Sequence, residues 1–258
     1  MLKRASFLAY GVVSYLIFFG TFLYAIGFVG GFGVPRPLDG AADGPTWIAL
    51  AVDAALLAAF AVQHSLMARP AFKKRWAEVV PRELERSTYV LFSSLALILL
   101  FWQWRPLGGS VWSVENVTGR AALHALFAFG WGLVLLCTFL INHFDLFGLR
   151  QVWLFATGKP YTPLRFVTPG PYRLVRHPLY VGWLFAFWMT PTMTLSHLLF
   201  AVMTTAYILV AIQLEERDLM REFPRDYADY RDQVPMIVPF SRRDLPAATA
   251  PVSQGEVS

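Results

Sequence analysis

The stretch AALHALFAFGWGLVLLCTFLIN, residues 121–142, contains no lysine, arginine, aspartate or glutamate. Because an α-helix rises about 1.5 Å per residue, about 20 such residues cross the hydrocarbon core of a bilayer with every backbone hydrogen bond satisfied. Four comparable apolar blocks occur elsewhere in the chain, at about 6–30, 46–67, 87–104 and 195–214. The sequence therefore predicts an all-α integral membrane protein with five transmembrane helices.

A further apolar stretch, at about 179–190, is too short to cross a bilayer alone. We predict that it forms a short hairpin arm with the last block, and that the chain turns at Thr190–Thr194, which contains a proline. Composition supports lipid as the solvent of the chain. Only 15% of the 258 residues are charged and 56% are hydrophobic, whereas soluble domains carry about 25% charged residues.

Basic residues are distributed unequally over the predicted loops. If the N-terminus is cytoplasmic, 19 of the 22 lysine and arginine residues lie in cytoplasmic segments, and only Arg36, Arg105 and Arg120 lie on the opposite side. Such an excess of cytoplasmic positive charge is the rule for membrane proteins, so both termini are expected in the cytoplasm. The same asymmetry accounts for the formal net charge of +5 without a nucleic-acid partner, because basic loops contact membrane lipid.

The chain is predicted to form one membrane domain, residues 1–240, followed by a disordered cytoplasmic tail, residues 241–258. The first apolar block follows Lys3 and Arg4 but is longer than the hydrophobic region of a signal peptide, so we interpret it as a retained anchor. Cys137 is the only cysteine. We therefore expect neither an intrachain disulfide nor a metal site, and we predict no obligate protein partner.

Ionisable residues within membrane spans are costly, which makes them candidates for function. Asp53 and His64 lie eleven residues apart in the second block, so they share roughly one helical face. A structural role, in hydrogen bonding or capping, is the alternative for both. His124, one turn into the fourth block, is expected at the membrane interface, and His197 is expected to be structural.

Candidates for catalysis follow the fourth block, in the sequence His143-Phe144-Asp145 with Arg150. A histidine and a carboxylate beside a basic loop can move a proton near a bound cation. The alternative is that these residues only end the helix and contact water. Because His143 and Asp145 are two residues apart, they share a face only if the helix has unwound there.

A second group is the string GPYRLVRHPLYVG, residues 170–182. Pro178 suits the first turn of a helix, whose free N–H groups and positive dipole end attract an anion. Arg176 and His177 precede that turn, so the pattern predicts a binding site for a carboxylate. Gly182, one turn later, permits the close approach of a ligand or of another helix.

A third group ends the last block, as Glu215-Glu216-Arg217-Asp218. Acidic charge opposes the helix dipole at a C-terminal end, so a cationic ligand or nearby arginines should compensate it. An aromatic segment follows, with Phe223, Tyr227, Tyr230 and then Val234-Pro235.

The second and third groups, in this order, resemble the C-terminal catalytic region of the isoprenylcysteine carboxyl methyltransferase-like membrane enzymes. This resemblance covers about 170–239, with Pro224 where the family often has glycine. Two further motifs are similar to those of bacterial methanethiol S-methyltransferases, namely QHSLMARP at 63–70 and NHFDLFGLRQ at 142–151. With them the resemblance extends over about 1–240.

This resemblance implies that S-adenosylmethionine donates a methyl group to methanethiol, giving dimethyl sulfide and S-adenosylhomocysteine, at the cytoplasmic side of a bacterial inner membrane. Under this interpretation, Arg176 and His177 suit the carboxylate of the cofactor. Glu215 or Glu216 suits its ammonium group or its ribose hydroxyls.

The remaining roles concern the reacting atoms. Tyr180 and Tyr230 suit the adenine or the sulfonium cation of the cofactor. The nucleophile is a thiolate, and a small alkyl thiol is mostly protonated near neutral pH. Asp145 and His143 are therefore the candidates for promoting its ionisation.

Three alternatives stay open. Another thiol, a prenylated cysteine or a lipid could be the acceptor; the last two require a wide cleft open to the bilayer, whereas methanethiol requires a small closed pocket. A non-enzymatic assembly factor of the denitrification type would not bind S-adenosylmethionine. A haem- or quinone-binding protein would use His64, His124 and His143.

Overall fold

In the computed structural model, which describes residues 1–42 and 44–239, the predicted spans are long α-helices. Each is long and apolar enough to cross a membrane. They are α1 (Leu2–Gly30), α2 (Thr46–Ala68), α4 (Arg82–Gln103), α5 (Val117–Leu140) and α9 (Leu195–Glu222). Shorter helices connect or follow them, namely α3 (Pro70–Trp76), α6 (His143–Leu146), α7 (Leu149–Ala156), α8 (Pro178–Trp188) and α10 (Pro224–Gln233). The all-α membrane fold with five spans is confirmed, while the predicted tail, 241–258, lies outside the described residues.

Two spans, α4 and α9, continue furthest beyond the apolar blocks that predict them. Helix α4 begins at Arg82 rather than near residue 87, and α9 continues to Glu222 rather than ending near residue 214. The first turn of α4 carries Glu83 and Glu85, whose charge complements the positive end of the helix dipole. Hydropathy detects only the part of a helix that suits lipid, so charged turns at its ends escape detection.

The short hairpin arm is present as α8, which precedes α9. Its turn contains a strand that the sequence did not predict, β2 (Thr192–Thr194), which pairs antiparallel with β1 (Ser110–Ser113). This pairing joins the turn of the arm to the loop between α4 and α5. Both therefore lie at the same end of the helix bundle.

The loop after α1 is attached to that same end. The Trp104 indole N–H donates to the carbonyl oxygen of Leu38 at 3.0 Å. Buried His197 places Nδ1 3.1 Å from a carboxylate oxygen of Asp39, and its Nε2 donates to the Phe187 carbonyl at 2.9 Å. These contacts give His197 a structural role at the start of α9.

The opposite end of the bundle carries most of the basic residues, and we call it the basic end. There Arg69 forms an ion pair with Asp218 at 3.0 Å, which joins the end of α2 to α9. Arg86 Nε donates to the Leu146 carbonyl at 2.6 Å, which joins the start of α4 to α6. The predicted division of the loops between two ends of the bundle agrees with these contacts.

Candidate active site

Glu216 is the centre of a buried ion-pair cluster at the basic end. Its Oε1 accepts hydrogen bonds from Arg176 Nε at 2.9 Å and from His177 Nε2 at 3.0 Å. Its Oε2 lies 3.8 Å from Nε of Arg231. Because a buried carboxylate is stable only with cationic or hydrogen-bonding partners, these contacts explain how an acidic residue is tolerated at the end of α9. Of the two forms of compensation expected from the sequence, a cationic ligand or nearby arginines, the structure shows arginines, chiefly Arg176.

The segment after α10 holds Arg176 and His177 in place. The backbone N–H of Arg176 donates to the Pro235 carbonyl at 2.8 Å, and that of His177 donates to the Met236 carbonyl at 3.1 Å. The Arg176 guanidinium also donates to the Val234 carbonyl at 2.7 Å. The Val234-Pro235 motif therefore acts as a backbone clamp on the residues that start α8.

A cavity of about 420 Å³ opens beside this cluster. Such a volume lies within the range of small-molecule sites, about 300–1,000 Å³. The residues that line it come from α9 and α10, and they are Gln213, Glu216, Arg217, Met220, Arg221 and Arg231. Three guanidinium groups and one carboxylate can together bind a zwitterionic group, because they offer partners to both of its charges.

Glu215 and Tyr180 lie on the other side of His177. The Glu215 carboxylate is 3.9 Å from His177 Nδ1, and its side chain is 46% exposed. The Tyr180 ring centre lies 5.7 Å from that of His177, and Tyr180 also interacts with Glu215. The structure thus brings together five of the predicted cofactor residues, with Glu216 buried and Glu215 accessible.

Tyr230 and Gly182 have mainly structural contacts. The Tyr230 hydroxyl donates to the Tyr172 carbonyl at 2.6 Å, and burial raises the pKa of Tyr230 to about 12. A Cβ added to Gly182 would lie 2.9 Å from the carbonyl oxygen of Gly130. Of the two neighbours expected for Gly182, a ligand or another helix, the structure shows the helix, α5.

The turn that carries the catalytic candidates is irregular, as their spacing required. Asn142 separates α5 from α6 with a left-handed backbone, φ 86°. Its side chain accepts a hydrogen bond from the Asp145 N–H at 3.2 Å. His143 and Asp145 therefore leave this turn in different directions and have different neighbours.

His143 is buried among aromatic rings. Its ring stacks on that of Phe139 with centroids 4.2 Å apart. Nε2 lies 2.8 Å from the Tyr15 hydroxyl, and Nδ1 lies 2.9 Å from the Thr138 hydroxyl. Since Thr138 donates its own proton to the Leu135 carbonyl, Nδ1 carries the imidazole proton and Nε2 accepts from Tyr15. Burial lowers the pKa of His143, which favours this neutral form.

Asp145 faces a polar cleft at the basic end. Its Oδ1 accepts from Arg150 at 2.7 Å, and its Oδ2 lies 3.4 Å from the Tyr161 hydroxyl. The cleft has a volume of about 630 Å³, and Arg86 and Asp145 are among the residues that line it. Asp145 is thus accessible to small molecules while it is held by a cation.

His64 has partners that the sequence did not indicate. Its Nε2 lies 2.8 Å from the Tyr89 hydroxyl, and its Nδ1 lies 3.1 Å from Ser93 Oγ. Its ring stacks on Phe60 and meets Tyr207 edge-on. Phe60 is a neighbour on α2 itself, whereas Tyr89 and Ser93 lie on α4 and Tyr207 lies on α9, so no local pattern in the sequence could have identified these three partners.

The remaining polar candidates are far from this group. Asp53 is buried and accepts the backbone N–H of Arg105 at 3.0 Å, which is a structural contact at the end opposite the basic end. His124 is exposed near the start of α5. At about 1.5 Å per residue, the part of α5 between His124 and Leu140 alone is about 24 Å long, and His143 follows the end of this helix. The geometry therefore disfavours a haem site that uses these two histidines together.

Comparison with known proteins identifies the family. The chain is 55% identical over 239 residues to a protein of Crocosphaera subtropica named methanethiol S-methyltransferase, covering 93% of this chain and 94% of that one. It is 53% identical over 242 residues to a protein of the same name from Mycobacterium tuberculosis, covering 94% and 99%. This chain belongs to the methanethiol S-methyltransferase family.

A model of a broader family agrees with this membership. The phospholipid methyltransferase model matches residues 120–226, which include α8, Arg176 and Glu216. No solved structure matches the chain. As a member of the methanethiol S-methyltransferase family, the protein is a membrane methyltransferase, and the resemblance inferred from its motifs is confirmed.

Proposed function

We propose that the protein transfers a methyl group from S-adenosylmethionine to methanethiol, with the basic end on the cytoplasmic side of a bacterial inner membrane. The observation that carries this proposal is the buried carboxylate of Glu216, held by Arg176 and His177 beside a cavity lined by arginines. The names of the relatives support methanethiol as the acceptor.

The charges of the cavity fit the amino-acid end of S-adenosylmethionine. Its ammonium group finds a partner in Glu216, and its carboxylate finds one in the arginines of the cavity, such as Arg217 or Arg231. When bound, this molecule supplies a methyl group on a positively charged sulfur. Arg176 and His177 then act by holding the Glu216 carboxylate in position, and Tyr180, beside His177 and Glu215, is our candidate for a ring contact with the ligand cation.

The acceptor must lose a proton, because the nucleophile is the thiolate. Asp145 is our candidate for promoting this loss, since it borders an accessible polar cleft. The neighbouring cations, Arg86 and Arg150, favour a thiolate over a thiol. Because Tyr15 and Thr138 occupy both ring nitrogens of His143, the role that remains for His143 is to hold the turn that presents Asp145.

Methyl transfer can be tested with the purified protein in detergent, methanethiol and S-adenosylmethionine labelled on its methyl group. Labelled dimethyl sulfide should appear in the headspace at a rate proportional to the protein. Replacement of Glu216 by glutamine should abolish most of it. A protein that does not bind S-adenosylmethionine would refute the donor and favour the assembly-factor alternative.

A lipid acceptor is the second candidate, because the phospholipid methyltransferase model matches residues 120–226. The same labelled donor can be offered with phospholipid vesicles or with a prenylated cysteine. Label in the organic extract, and none in the headspace with methanethiol, would favour this candidate.

Orientation in the membrane is tested separately. Reporter fusions in the loops near 31–45 and 105–120 should report the side opposite the cytoplasm, because 19 of the 22 basic residues lie in the other segments. Cytoplasmic behaviour of either loop would contradict the proposed side of the active site.

A further inference from the structure

Four helices bring polar aromatic side chains together between the two clefts of the basic end. They are His64 on α2, Tyr89 on α4, Tyr180 on α8 and Tyr207 on α9, and we call them the aromatic pocket. Each is only half-buried although it lies within the helix bundle. Because each side chain keeps part of its surface exposed, the group can contact a bound molecule.

The aromatic pocket adjoins the proposed cofactor site through Tyr180. Tyr180 interacts with Glu215, and it lies within electrostatic range of Tyr207 and Tyr89. Glu215 is itself 3.9 Å from His177. A molecule in the pocket is therefore adjacent to the residues assigned to the methyl donor.

Tyr207 provides a hydrogen-bond donor in this pocket. Ser65 donates to the Tyr207 hydroxyl oxygen at 3.2 Å, so the proton of Tyr207 remains available to another acceptor. In contrast, Tyr89 lies 2.8 Å from His64 Nε2 and can satisfy its proton there. The Tyr207 hydroxyl can donate this proton to a negatively charged sulfur atom.

Positive charge and an apolar wall complete the pocket. The Arg86 guanidinium lies 5.1 Å from the centre of the Tyr89 ring, and Arg86 also lines the polar cleft of Asp145. The Phe60 ring stacks on His64 and lies 6.3 Å from the Tyr207 ring. The surroundings thus combine positive charge from Arg86 and Arg69, one free hydroxyl proton and aromatic faces suited to a short alkyl group.

We propose that the aromatic pocket is the acceptor site, in which a small alkyl thiol binds with its sulfur at the Tyr207 hydroxyl and its alkyl group against Phe60. This inference rests on the proposed function, because it assigns the acceptor of that reaction. Tyr207 determines the affinity for the thiolate, and Phe60 limits the length of the alkyl chain. Arg86 connects the pocket to the cleft through which the thiol proton leaves to Asp145 or to water.

The first test uses Tyr207→Phe, which removes the hydroxyl and keeps the ring. The KM for methanethiol should rise about tenfold, as expected for one lost hydrogen bond to a charged group, while the Kd for S-adenosylmethionine is unchanged. Tyr24→Phe is the matched control, because Tyr24 donates to the Arg36 carbonyl at the opposite end of the bundle. An unchanged KM, or an equal loss in the control, overturns the inference.

Binding without turnover separates this inference from the proposed function. Ethanethiol is titrated into wild-type and Tyr207→Phe protein loaded with S-adenosylhomocysteine, and its affinity should fall about tenfold in the variant. Phe60→Ala should in addition shift the preference toward longer thiols such as butanethiol. If the wild type makes dimethyl sulfide but neither variant alters thiol binding or preference, the acceptor site is wrong and the proposed function stands. If the wild type binds the thiol but transfers no methyl group, the proposed function is wrong and the acceptor site stands. If the wild type does not bind the thiol, the acceptor site is wrong.

Discussion

Two arginine–carboxylate pairs at the basic end have similar lengths but different connections. Arg176 and Glu216 are 2.9 Å apart, and Arg150 and Asp145 are 2.7 Å apart. The first pair joins residues 40 positions apart, and its side chains are 10% and 9% exposed. The second joins residues five positions apart, with side chains 23% and 13% exposed. A pair that joins distant elements supports the fold, whereas a local pair near an open cleft leaves its carboxylate available for chemistry.

The largest expected effect comes from breaking the buried pair. Arg176→Ala leaves Glu216 without its closest cation and the Val234 carbonyl without this donor. The free energy of unfolding in detergent should therefore fall by about 3–5 kcal/mol. Arg150→Ala, the same change in the local pair, should cost about 1 kcal/mol or less. Equal losses of stability in the two variants would show that the difference in burial has no energetic consequence.

The next effect concerns turnover rather than stability. Asp145→Asn keeps the shape of the side chain but removes its negative charge, so turnover should fall about 100-fold or more, the lower range for general-base catalysis. Affinity for S-adenosylmethionine should be nearly intact. A rise in pH should partly restore the rate, because more thiol is then ionised. Normal turnover in a poorly expressed variant would instead indicate a structural role.

Affinity for the cofactor should depend on the residues clustered around Glu216. His177→Ala and Glu216→Gln should each weaken S-adenosylmethionine binding by more than about 1.5 kcal/mol, the lower range for a lost charge-assisted hydrogen bond. Calorimetric titration measures this, with Glu215→Ala as the third variant and Asp145→Asn as the control. If all three variants bind as tightly as the wild type, the cofactor lies elsewhere.

The smallest effect is a dependence of stability on pH near the Asp145 turn. Burial lowers the pKa of His143 below its unfolded value of about 6.5. The unfolded chain therefore binds the proton more readily, and stability should fall as the pH decreases below about 6.5. Melting temperatures at pH 7.5 and 5.5 should differ less in His143→Gln than in the wild type. An identical difference in both proteins would assign the pH dependence to other groups.

Sequence predicted the spans of this protein well because lipid imposes a single requirement, an apolar helix of sufficient length. It also predicted that a cationic ligand or nearby arginines compensate the acidic residues at the end of the last span, since acidic charge at the C-terminal end of a helix is costly. It could not identify Arg176 as the partner, because the contact depends on how α8 packs against α9. For the same reason it missed Tyr15, which is 128 residues from His143.

The two short strands were missed for a different reason. Strand β2 alternates in burial but has only three residues, too few for a recognisable pattern, and the four residues of β1 are all exposed, so it shows no alternation. Their pairing becomes apparent only when the turn of the arm and the loop between α4 and α5 are placed at one end. The predicted roles of Asp145 and of the cofactor residues stay predictions, because they concern molecules that bind to this fold.

The contact between Gly130 and Gly182 limits how the enzyme can exchange its ligands. At this point the backbones of α5 and α8 touch, since a Cβ on Gly130 would lie 2.7 Å from the Gly182 carbonyl oxygen. Without a compressible layer of side chains between them, α8 can move only together with a full membrane span. Helix α10 lines the cavity and is followed by the segment that clamps Arg176 through backbone hydrogen bonds. We therefore expect that a ligand leaves this cavity through movement of residues 224–239 rather than of α8.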